Sequence, residues 1–148
     1  MRIIVHGGAG SDPDEPEPRQ AVLDDAAETG AAESDPVDAV EAAVNVLEAS
    51  DRFNAGYGGA VQSDGEVRTD AGLMTSDLET GAVASMDGVR DAISAARVVM
   101  TETPHIFVSG EHAVDLAGEF GVETDVELLT PESREEYEDE DPPTAGPK

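Results

Sequence analysis

The stretch "RFNAGYGGAVQSDGEVRTDAG" runs from Arg52 to Gly72 and divides the chain into two kinds of pattern. Gly56, Gly58 and Gly59 stand behind a lone amide, Asn54. Glycines this dense mark a backbone that bends tightly or lies close against something. The residues that follow alternate as a strand does, and Asp64-Gly65 has the chemistry of a hairpin turn.

Before this stretch the periodicity is helical. Ile3, Ile4 and Val5 form a short apolar run that predicts a strand buried on both faces, bounded by Gly7 and Gly8. "SDPDEPEPRQ" reads as a loop. A helix is predicted from about Arg19 to Thr29, with Gly30 as its stop. A second helix begins with Ser34 or Asp35 as cap and Pro36 near its first position. Val37, Val40, Val44 and Leu47 make its apolar stripe, and it should end near Ala49.

After the glycines come strands, "AGLMTSD" and "GAVASMDG", then a helix from about Asp91. "HIFVS" is a further strand and "GEHAVDLAGEF" a short helix ending at Gly121. This order predicts an α/β (α+β layered) fold, a sheet with helices packed on it. The packed domain should span residues 1–129. From Thr130 the chain has one aromatic, seven acids and four prolines, so 130–148 is expected to be a disordered acidic tail.

The net charge is −26, from 34 acids against seven arginines and one lysine. Nucleic acid binding is excluded as a function class, because phosphate affinity comes from Lys and Arg. The acids are interleaved with Ala, Val, Ile and Leu, which points to a folded core under a carboxylate coat. With almost no lysine, this composition resembles that of proteins from salt-loving microbes, where ionic strength screens self-repulsion. Cysteine is absent, so disulfides and thiolate metal sites are excluded. No run approaches the length of a membrane span or a signal peptide. A cytoplasmic protein is expected.

"HGGAG" after a strand invites a phosphate-loop reading, yet it matches neither glycine fingerprint and opens into an acidic loop. "GYGGAV" has Val61 where a third glycine belongs. The serines show no nucleophile elbow, and His105 and His112 have no recognisable triad partner. Asn54, flanked by Phe53, Ala55 and Tyr57, reads as a buried amide that needs partners; one use is to hold a nucleophile or an oxyanion. The chain shows no complete catalytic set of its own.

Taken together, "VHGGAG", "DAVEAAVNVLEASDRFNAGYGGAV", "TDAGLM", "GAVA" and "ISAARVVMTETPHIFVSGE" resemble, in order, the plant-type L-asparaginases, also called isoaspartyl peptidases. These are N-terminal threonine (Ntn) hydrolases, and the resemblance covers about Ile3 to Glu123. It implies a precursor that cuts itself before a threonine, giving α and β chains that together form an αββα sandwich. The new terminal Thr is the nucleophile and its amine the base. This chain resembles the α part, the N-terminal half, with the acidic tail leading to the cut. "TGAVA", Thr80 to Ala84, aligns with an internal strand and not with the nucleophile.

The resemblance further implies roles for individual residues. Asn54 orients the β-chain Thr. His6, Gly7, Gly8 and Gly10 form a loop that shapes the precursor for self-cleavage. Backbone carbonyls of Leu47, Glu48, Ser50, Phe53, Ala55 and Tyr57 hold a structural Na+ (or K+), with no organic cofactor. The implied partners are the β subunit, in an (αβ)2 oligomer, and small substrates, L-asparagine or β-aspartyl dipeptides, with no nucleic acid and no membrane. "GYGG" leans toward the related glycosylasparaginases, and "FNAG" toward the asparaginase branch. A non-catalytic acidic domain that binds a partner is the alternative from another class.

Overall fold

The computed structural model describes residues 1–9, Pro13 and 15–139. Two helices open the ordered fold, α1 (Pro16–Ala32) and α2 (Pro36–Glu48). Both begin on proline, which lacks the N–H that a first helical turn leaves unpaired. Asp35 caps α2, its carboxylate accepting the N–H groups of Val37 at 2.8 Å and Asp38 at 3.3 Å. α1 runs through Gly30, the expected stop. A Cβ at Gly30 would meet the Ala39 carbonyl at 2.6 Å and Ile3 Cδ1 at 2.5 Å, so the glycine is a contact point between helices and no terminus. The buried face of α2 is Ala39, Ala43, Leu47 and Glu48. Close packing against α1 selects the alanines, and the predicted valine stripe is turned partly outward, with Val40 exposed.

The hairpin forms at the expected place. Val61 pairs with Val67, and the Gly65 N–H donates to the Gln62 carbonyl at 2.9 Å to close the turn. It leads into β1 (Arg68–Met74), which pairs antiparallel with β2 (Thr80–Asp87). Helix α3 (Ala92–Glu102) crosses over, and β3 (Phe107–Ser109) joins β2 in parallel. The sheet is mixed, in the order β1-β2-β3, with the "TGAVA" segment at its centre. α4 (Glu111–Glu119) completes the packed region. The core beneath α3 and α4 joins Val83, Met86, Val89, Ala92, Ala95, Ala96, Val99, Ala113 and Ala117. Among the described residues, Leu128 is the last buried hydrophobic one.

Two further expectations differ from the structure. Ile3–Val5 belong to none of the three strands, and Ile4 is 95 % exposed. A strand exists only where a neighbour completes its ladder, and no described segment pairs with it. The tail was expected to lack order from Thr130, whereas the structure draws a helix, α5, over Pro131–Asp139. Pro131 starts it, and the Thr130 hydroxyl accepts the Ser133 N–H at 3.0 Å, a reciprocal cap. Positions 140–148 lie outside the described residues.

One face of the sheet carries Val83, Leu73 and Val108 against the α3–α4 core. The other face carries Gly72, Met74, Ala82, Ala84 and Phe107, and no described helix packs on it.

Candidate active site

The loop that joins α2 to the hairpin is held by backbone contacts. The Tyr57 N–H donates to the Glu48 carbonyl at 2.8 Å, and Gly58 N–H to the Leu128 carbonyl at 2.9 Å. A Cβ on Gly56 would meet the carbonyl oxygens of Glu48 at 2.6 Å and Arg90 at 2.8 Å. Gly56 therefore lies against the protein's own backbone. Phe53 turns toward the N-terminal segment, where a Cβ on Gly7 would strike its ring at 2.4 Å.

That contact brings two distant motifs together. An open cleft of about 870 Å³ is lined by His6, Gly7 and Gly8 from the N-terminal segment, Arg19 from α1, and Phe53 and Asn54 from the loop. His6 accepts the Gly8 N–H on Nδ1 at 3.1 Å, and Gly8 adopts φ +102°, a conformation that favours glycine. Gly10, the last residue of the predicted loop, lies outside the described residues.

Asn54 departs from its expected setting. Its side chain is exposed and makes no hydrogen bond among the described residues. Phe53 and Ala55 are half-buried, so the backbone turns the intervening amide outward, to the cleft. An amide there offers both a donor and an acceptor to whatever enters.

The six predicted ion ligands share this loop. The Leu47 carbonyl accepts the Ser50 N–H at 3.2 Å, and that of Glu48 accepts Tyr57. The carbonyls of Ser50, Phe53, Ala55 and Tyr57 accept no backbone hydrogen bond among the described residues. Unspent carbonyl oxygens on a tight turn are a donor set that suits a hard cation. No cluster of three or more His, Asp or Glu side chains able to hold a metal occurs among the described residues.

Sequence reasoning named Glu48 only for its carbonyl and missed its side chain, which is 2 % exposed. Oε1 accepts the Ile93 N–H at 2.9 Å, capping α3, whose own Asp91 makes no side-chain cap. Oε2 is buried and has no partner among the described residues. Burial pushes this carboxyl up to about 8, helped by the nearby Asp91 charge and opposed by the Ile93 N–H and by Arg90. Arg19 and Arg52 were also missed. The Arg19 guanidinium donates to the Arg52 carbonyl, and that of Arg52 pairs with Glu15. A lone basic residue on the acidic helix α1 was the available signal.

The fold is α/β with one uncovered sheet face, and its cleft forms where the HGG turn meets an exposed loop amide. Comparison with known proteins gives the family. The asparaginase family matches residues 1–147. A plant-type L-asparaginase of Pyrobaculum calidifontis is 45% identical over 127 residues, 81% of this chain and 42% of that protein. The isoaspartyl peptidase/L-asparaginase of Rattus norvegicus is 37% identical over 143 residues, 91% of this chain and 43% of that protein. A plant-type L-asparaginase of Pyrococcus furiosus is 41% identical over 150 residues, 94% and 47% respectively. The chain belongs to the asparaginase family, and it spans less than half the length of these relatives.

Proposed function

We propose that this chain is the α part of an autoprocessed isoaspartyl peptidase/L-asparaginase, whose threonine nucleophile stands on a separate β chain. The observation that carries the reading is the cleft itself. It gathers an exposed amide, Asn54, beside the His6–Gly8 turn, yet holds no nucleophile paired with a base among its lining residues. Such a half-site needs a nucleophile from outside the described residues. A terminal Thr, whose own amine takes the hydroxyl proton, would meet that need without a further base.

In this reading Asn54 orients the Thr hydroxyl, and the turn of His6, Gly7 and Gly8, continuing to Gly10, shapes the precursor for self-cleavage. The β part lays its sheet on the face of Gly72, Ala82, Ala84 and Phe107, giving the αββα sandwich of an N-terminal nucleophile hydrolase. Gly72, Ala82 and Ala84 on that face allow close sheet-on-sheet packing. A monovalent cation, Na+ or K+, sits on the loop carbonyls, contributing rigidity and no chemistry. The substrates are L-asparagine or β-aspartyl peptides, the assembly is (αβ)2, and the compartment is the cytoplasm.

The test is an intact mass spectrum of the protein produced from its natural gene, with L-asparagine hydrolysis assayed on the same sample. A second chain beginning with Thr beside one of about 15.3 kDa is expected. An active protein with no cleavage would overturn the autoprocessing reading, and a single inactive 15.3 kDa species would favour a non-catalytic acidic domain.

A further inference from the structure

Asn54 lies in an irregular turn between α2 and the hairpin, so something must hold its amide in place. Arg19 is the sole basic residue of α1, a helix that also carries Glu17, Asp24, Asp25 and Glu28. Its Nη1 donates to the carbonyl oxygen of Arg52, two residues before Asn54. The Arg52 guanidinium reaches the other way, to Glu15 just ahead of α1. From the opposite side the Phe53 ring lies against Gly7.

Among its contacts, Arg19 bonds a neutral backbone carbonyl. That bond depends on direction more than on charge, and salt screens it less than an exposed ion pair. We propose that Arg19 is a positioning residue for the family's reaction. It clamps residues 52–54 to α1 and so sets where the Asn54 amide stands in the cleft. The proposal rests on the role given to Asn54 above. A planar guanidinium suits this task; a lysine keeps the charge but holds direction less well.

The test uses the full-length processed enzyme and four variants: Arg19→Met, Arg19→Lys, Asn54→Ala and the Arg19→Met/Asn54→Ala double variant. kcat and KM for L-asparagine are measured, with thermal melting alongside. Arg19→Met is expected to lower kcat by about tenfold, the scale of one charge-assisted hydrogen bond, with KM changed less than about twofold. Arg19→Lys should recover part of the loss. In the Asn54→Ala background, removing Arg19 should cost nothing further, because its effect passes through the missing amide. Losses that multiply in the double variant, or a normal kcat in Arg19→Met beside an impaired Asn54→Ala, overturn the clamp. If Asn54→Ala is itself unimpaired, the role of Asn54 fails first and the clamp with it. Should Arg19→Met not fold, the same cycle with Arg19→Lys carries the decision.

Discussion

Glu48 shows how one side chain can escape a sequence reading. At the end of an amphipathic helix a glutamate reads as solvated surface, yet here its carboxyl caps α3 from below. In the folded protein it keeps its proton up to about pH 8, whereas the unfolded chain releases it near 4.5. Between those values the folded state binds more protons, so this group's contribution to stability falls as pH rises through the window and levels off above it. Glu48→Gln keeps the shape and the acceptor for Ile93 but cannot titrate. The melting temperature of Glu48→Gln should gain on that of the parent from about pH 5 to about pH 8; a constant gap would show that Glu48 does not titrate there. Asn54 is the reverse case. Its apolar neighbours pointed to burial, but whether a loop residue turns in or out depends on the backbone path, which local composition does not specify.

At the level of elements, capping and periodicity were legible wherever the signal is local. Asp35 with Pro36, the Asp64-Gly65 turn and the two long strands fall as expected, because each depends on residues within a few positions. Gly30 and Ile3–Val5 were misread because their state depends on what packs against them. Gly81 belongs with Gly30: a Cβ there would meet the Ala96 carbonyl at 2.1 Å and the Met100 N at 2.7 Å, so α3 lies directly on β2. Both obstacles are backbone atoms and cannot rotate aside. Gly81→Ala should therefore destabilise the protein by about 1–3 kcal/mol, read from urea unfolding. An unchanged midpoint would mean that α3 lies farther from the sheet.

For the whole molecule the governing quantity is charge. A net charge of −26 on 148 residues opposes compaction, and salt shortens the range of that repulsion from about 10 Å at 0.1 M to about 3 Å at 1 M. The melting temperature should rise clearly between dilute and molar KCl; a flat response would show that the coat costs little. What the sequence alone determined is the family and the order of most elements, since these rest on motifs and periodicity. Only the tertiary structure decided that His6–Gly8, Arg19 and Asn54 share one cleft, that Glu48 is buried, and that one sheet face stands uncovered. Each of those depends on contacts between residues dozens of positions apart, and such contacts are settled by packing after the local elements have formed.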